Sequence, residues 1–251
     1  MTAGNSPGTP TTLPLEGQVA LVPGGTGNVG EGIVRAFLTA GATVVVPSRS
    51  QERLEALAEL VGSDLAKRLR GTTAGYGTFS EATELAESVI AEHGRVDHVL
   101  PAIGGWWMGK ALWQTGEDEW EKYFVETTTS HMAVARAFVP RLHEAGSFTL
   151  ITGISAREPY PRAGIVSMHG AALLMMRQAL SAELGGQRRV NDLVLGPVIN
   201  RSRPAGPPSW LTADQVGEAA VAVALNPSVR DESISLDTVD DLDRELNRIG
   251  A

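Results

Sequence analysis

Between Val22 and Val34 the chain reads VPGGTGNVGEGIV, with Gly24, Gly27 and Gly30 three residues apart. The stretch follows a short apolar run, GQVALVP, and precedes a helix-like one, EGIVRAFLTAG. Glycines so placed let a chain turn sharply out of a strand and bring bare backbone up to a diphosphate. They also start a helix whose N–H groups and dipole face the phosphates. The expected contacts are the backbone groups of Gly24, Gly27, Asn28, Val29 and Gly30. The next apolar run ends in VVVPSRS. A site that reads a ribose 2′-hydroxyl usually carries an acid there, and this chain carries Ser48 and Arg49. A hydroxyl and a guanidinium fork suit a 2′-phosphate. The expected cofactor is therefore NADP, with NAD as the alternative.

The elements that must hold this turn follow from apolar periodicity. GQVALVP, ATVVVPS, VDHVLPAIGG, SFTLITG, RVNDLVLGP and ESISLDT read as strands. Between them lie amphipathic runs with helix signals: Gly41 as an end, Ser50 as a cap before QERLEALAELVG, and Gly94 closing TELAESVIAEHG. The long stretch EDEWEKYFVETTTSHMAVARAFVPRLHEAG, the run beginning VSMHG, and DQVGEAAVAVAL complete the set. Alternating strands and helices, with strands apolar on both faces, predict a doubly wound parallel sheet. A single α/β domain is expected over residues 15–251, after a loose Gly/Pro/Ser/Thr-rich tail at 1–14.

Composition narrows the partners. The 251 residues carry a net charge of -8, against a nucleic-acid or anionic-membrane surface as the main partner. There is no cysteine, which removes disulfides and thiolate chemistry, and the five histidines show no metal-ligand spacing, so no metal is expected. No apolar run reaches the roughly 18 residues of a membrane span, and the start lacks the apolar core of a secretory signal, so a cytoplasmic location is expected.

Together these features resemble the short-chain dehydrogenase/reductase family over nearly the whole chain after the tail. The glycine turn, GRVDHVLPAIGG, ARAFVPRL, SFTLITG, AALLMMRQALSAEL and RVNDLVLGPV carry the likeness in order and spacing. The resemblance implies a Rossmann fold, hydride transfer with a nicotinamide dinucleotide, and a homodimer or homotetramer. It implies cofactor contacts at Ala102 and Gly104, in PAIG where the family often has NNAG, and at Gly196, Pro197 and Asn200 after the strand RVNDLVL.

The catalytic pattern departs from the family's. The resemblance implies an asparagine, a serine, a tyrosine acid and a lysine that lowers the tyrosine's pKa. These positions fall on Thr127, Gly153, Val166 and Gly170. Valine donates no proton and glycine carries no charge. Replacement candidates lie on the same segments: His169, three residues past Val166; His131, four past Thr127; Tyr160 in the REPYPRAG loop; and Thr152 and Ser155 beside Gly153. Each has a plainer reading as a packing or loop residue. Trp106 and Trp107 follow Gly105 where a substrate wall is expected. The leading expectation is an NADP(H)-dependent reductase of a small organic molecule with a non-standard site. The alternatives are a lyase or isomerase on the same scaffold and a dinucleotide-binding pseudoenzyme.

Overall fold

The computed structural model describes residues 12–250. Nine strands are present among them: β1 (Val19–Leu21), β2 (Thr43–Pro47), β3 (Leu69–Thr72), β4 (His98–Val99), β5 (Ser147–Gly153), β6 (Arg189–Leu195), β7 (Val198–Ile199), β8 (Leu211–Thr212) and β9 (Ser233–Leu236). Seven form one parallel sheet in the order β3-β2-β1-β4-β5-β6-β9. The order reverses between β1 and β4, where Ala20 pairs with His98 and Leu21 with Val99. Crevices of open α/β sheets form at such a reversal, beyond the carboxyl ends of the strands.

Helices α1 (Gly30–Thr39), α2 (Gln51–Val61), α3 (Ser63–Ala66), α8 (Ala213–Leu225) and α9 (Val239–Gly250) supply or flank one apolar layer. It is centred on Ile33, Val34, Phe37 and Val216. Helices α4 (Phe79–His93), α6 (Glu126–Phe138) and α7 (Gly164–Leu184) cover the other face through Leu85, Val134, Phe138 and Leu173. Fully burying such side chains stabilises by about 1.5–3 kcal/mol each. Both layers share one sheet, so the described residues form a single domain.

Local chemistry sets the ends. Ser50 accepts the Arg53 N–H at the start of α2. Thr78 and Glu81 form a capping box on α4, as Thr212 and Gln215 do on α8. Gly94 and Gly185 close α4 and α7 in the left-handed conformation. The long acidic stretch is not one regular helix. α5 (Glu117–Trp120) runs through a π turn at Glu121–Val125 into α6.

Three features exceed the sequence expectation. β3 (LRGT) is a sheet-edge strand with exposed Arg70 and Gly71, so no apolar run marks it. α9 carries a narrow stripe at helical spacing, with Leu242 and Ile249 buried and Val239 and Leu246 packed against the core beside them, which the sequence reading did not single out. β7 and β8 form a separate two-stranded ladder that closes the segment after β6. Most of the expected tail, residues 1–11, lies outside the described residues. Of the remainder, Leu13 rests over Gly41.

Candidate active site

The glycine turn occupies the reversal point. Gly24 has φ +81°, and the Gly25 and Gly27 N–H groups donate back to the Val22 and Gly24 carbonyls at 3.0 and 2.9 Å. A Cβ at Gly24 would lie 2.3 Å from the Ala102 carbonyl oxygen, and one at Gly30 would lie 2.2 Å from the Gly24 oxygen. The Ala102 N–H donates to the Pro23 carbonyl at 2.9 Å. Two strand ends and the start of α1 thus meet as bare backbone, a cradle that any side chain would fill. This fits a diphosphate held by helix-start N–H groups.

Polar side chains ring the cradle. The Asn28 amide donates to the Ser202 hydroxyl. Glu31, in the first turn of α1, is buried and pairs with Arg201 at 3.1 Å. Burial raises its pKa, and the Arg201 and Arg35 charges pull it back. A cavity of about 240 Å³ lies alongside, lined by Thr26, Asn28, Glu31, Arg53, Leu57 and Arg201. At the end of β2, Ser48 is buried and its hydroxyl accepts the Ser50 N–H at 3.3 Å, while Arg49 is exposed. Tyr76 approaches from beyond β3. Burial pushes its phenol pKa up, while the nearby Arg49 charge and the Gly24 backbone pull it back.

At the other end of the cleft, Thr127 donates its hydroxyl to the Tyr123 and Phe124 carbonyls, at 2.9 and 3.2 Å, inside the π turn. Such turns insert one extra residue and recur at functional sites. At Gly153 an added Cβ would meet the Ser155 Oγ at 3.7 Å, an ordinary contact. Gly170 is different. A Cβ there would lie 2.7 Å from the Ala156 Cβ and 3.0 Å from the Thr152 Oγ1. Val166 is half-buried on the same helix.

His131 and His169 face each other, with ring centroids 5.2 Å apart. The His131 Nδ1 donates to the Thr127 carbonyl at 2.8 Å. Both Nε2 atoms are buried without a hydrogen-bond partner. The Pro101 carbonyl favours a protonated His131 without reaching bonding geometry. Burial lowers the His131 pKa to about 3 and the His169 pKa to about 4. Both rings are neutral at neutral pH. The His169 Cε1 lies 3.9 Å from where a Gly104 Cβ would be, so the pair sits behind the end of β4.

Two loops form the mouth. The Gly109 N–H donates to the Arg162 carbonyl at 3.0 Å, and the Arg162 guanidinium returns to the Gly109 carbonyl. Across this seam Trp106 meets Tyr160 edge-on at 5.5 Å, and Trp107 stacks on Tyr123 at 5.3 Å. Lys110 pairs with Glu119.

A family model described as enoyl-(acyl carrier protein) reductase matches residues 25–223. Dehydrogenase/reductase SDR family member 4 of Sus scrofa is 31% identical over 196 residues, covering 76% of this chain and 69% of that protein. The chain covers 66% of the Bos taurus protein of the same name, slightly under two thirds of its length. The chain belongs to the short-chain dehydrogenase/reductase family. A solved short-chain dehydrogenase/reductase from Serratia marcescens superposes with a TM-score of 0.80 over 90% of this chain and 98% of that one, at 20% identity. A blue fluorescent protein from a metagenomic library, solved with NADPH, superposes at 0.78 over 89% and 98%, at 21% identity. At these identities the structures speak for the fold.

Within this short-chain dehydrogenase/reductase, the sequence-derived positions divide. Gly24, Gly27, Asn28, Val29, Gly30, Ala102 and Gly104 converge on the reversal point. Thr152 lies beside Gly170, next in sequence to His169, which faces His131, and Ser155 lies by Gly153 at the end of β5. Tyr160 stands at the mouth, 55% exposed. Gly196 follows β6 with its N–H donating to Leu236, and Pro197 is exposed beside it. Asn200 uses its side chain locally: its Oδ1 accepts the Ser202 and Arg203 N–H groups, and its amide donates to Val198. Sequence reasoning missed Glu31, Tyr76 and Arg53. An acid directly after Gly30 was readable in GEGIV; its partner across the chain was not.

Proposed function

We propose that this protein is an NADP(H)-dependent reductase of small, neutral, apolar molecules that works without a phenol–ammonium pair. The observation that carries the reading is the bare-backbone cradle of Gly24 and Gly30 at the sheet's reversal point. Backbone N–H groups at Asn28, Val29 and Gly30 hold the diphosphate, and Ser48 and Arg49 receive the 2′-phosphate end. Ala102, Gly104, Gly196, Pro197 and Asn200 border the nicotinamide end. The bound cofactor supplies the hydride.

This chain's own groups do the rest. The Thr152 and Ser155 hydroxyls orient the substrate's polar atom beside Gly153. His131 and His169, uncharged at neutral pH, keep that region free of fixed charge. Trp106, Tyr160 and Val166 offer apolar walls, and the charged groups of the mouth are engaged by Gly109 and Glu119. Such a site suits an activated C=C or C=N bond, whose reduction needs less proton assistance than a plain carbonyl, with solvent as proton source. The low histidine pKa values favour a second reading, dinucleotide binding without turnover. We further infer a homodimer or homotetramer through α6 and α7, where Met132 and Met175 are 40% and 61% exposed. No helix among the described residues is long and apolar enough to cross a membrane.

The test is thermal unfolding with NADPH and NADH, followed by turnover on enones, imines and quinones. NADPH should raise Tm more than NADH. Ser155→Ala should lower kcat about tenfold, the worth of one orienting hydrogen bond, and Tyr160→Phe should leave it unchanged. Failure of both dinucleotides to bind overturns the reading; binding without turnover favours the second.

A further inference from the structure

The segment after β6 does more than bridge β7 and β8. Residues 200–210 form a preshaped strap. The Asn200 Oδ1 ties its first turn, the Arg203 guanidinium lies 5.5 Å from the Trp210 ring centroid, and a Cβ at Gly206 would lie 2.4 Å from that ring. Two consecutive strap residues reach the start of α1: Ser202 bonds Asn28, and Arg201 pairs with Glu31. Their targets belong to the same helix start that forms the cradle.

We propose that Arg201 is a diphosphate-positioning residue that Glu31 holds in reserve, so that Glu31 and the dinucleotide compete for one guanidinium. This rests on the dinucleotide reading above. The Glu31 side chain is 9% exposed and the Arg201 side chain 55%, so the acid is fixed and the guanidinium is the free-moving partner. A buried carboxylate in the first turn of α1 opposes an incoming diphosphate, because both draw on the same positive helix end. Arg201 cancels that charge while the cradle is empty. Arg35, the other nearby cation, is engaged by Asp214. A diphosphate offers the planar guanidinium a two-oxygen partner in place of the single contact to Glu31. Arg201 then carries the strap's position along with its charge, and strap movement becomes coupled to cofactor occupancy.

The experiment is calorimetric titration of the full-length protein with NADPH and NADH, for wild type, E31Q, R201A and the double variant. Glu31→Gln removes the competitor and should tighten Kd about five- to tenfold. Arg201→Ala should weaken it about tenfold, the effect of one charge-assisted hydrogen bond. In the double variant the part of the E31Q gain that depends on the freed guanidinium should vanish, leaving only the relief of charge at the helix start. Arg201 is exposed, so R201A tests the idea even if E31Q folds poorly. Unchanged affinity in R201A, or unchanged or weaker affinity in a folded E31Q, overturns the proposal. A wild type that binds neither dinucleotide fails the underlying reading instead.

Discussion

A lysine introduced at Gly170 would begin 2.7 Å from the Ala156 Cβ and 3.1 Å from its Cα. Backbone atoms do not yield as a flexible side-chain tip does, so the helix or the turn at Ile154–Ala156 must shift. Gly170→Lys is expected to cost about 1–3 kcal/mol, read as a lower urea midpoint at unchanged m-value. Val166 is half-buried with no such wall, so Val166→Tyr should fold within about 1 kcal/mol of wild type. It should not gain ketone reduction, because a phenol with no neighbouring ammonium keeps its high pKa. The positions read as replaced came from the resemblance to the family. That Ala156 closes the lysine's place was not legible, because the contact joins a short 3₁₀ turn to a helix, and neither segment's pattern announces the other.

Elements differ in how plainly the chain declares them. The glycine turn and the caps at Ser50 and Gly94 are local and were readable. β3 was not, since an edge strand needs no long apolar run; α9 was readable in Val239, Leu242, Leu246 and Ile249 and was overlooked. Packing between α1 and α8 is tighter than any pattern shows. A Cβ at Gly32 would lie 2.0 Å from the Ala213 carbonyl oxygen, and one at Gly217 would lie 2.4 Å from the Gly32 oxygen. Gly32→Ala should therefore push α1 off α8 and destabilise by about 1–3 kcal/mol. Because α1 carries the cradle at its N-terminus, dinucleotide affinity should fall in the same variant. Matched urea unfolding and NADPH titration check both; lost stability with unchanged affinity would uncouple the helix contact from the site.

Across the whole molecule, three buried histidines set the response to acid. His98 is held by Ser147 and Gln18 in the sheet interior with its pKa lowered to about 4, and His131 and His169 lie near 3 and 4. The ordinary value is 6.5, so the unfolded chain takes up protons that the folded one refuses. Their contribution is intact above pH 6.5 and is lost as pH falls toward 4, by about 1.4 kcal/mol per ring per pH unit. Unfolding free energy measured at pH 7 and pH 5 should drop steeply, and His131→Gln should flatten the slope. The histidines were visible as residues. The burial of His131 against His169 required the packing of α6 on α7.

The aromatic mouth has an optical consequence. All five tryptophans, at 106, 107, 113, 120 and 210, lie in loops, short helical turns and the strap, and none is in the buried core. Ultraviolet-excited emission from this chain is thus a signal of these outer segments alone. It should dim by energy transfer when a reduced nicotinamide docks nearby, and its colour should shift when the loops loosen while the sheet is still intact.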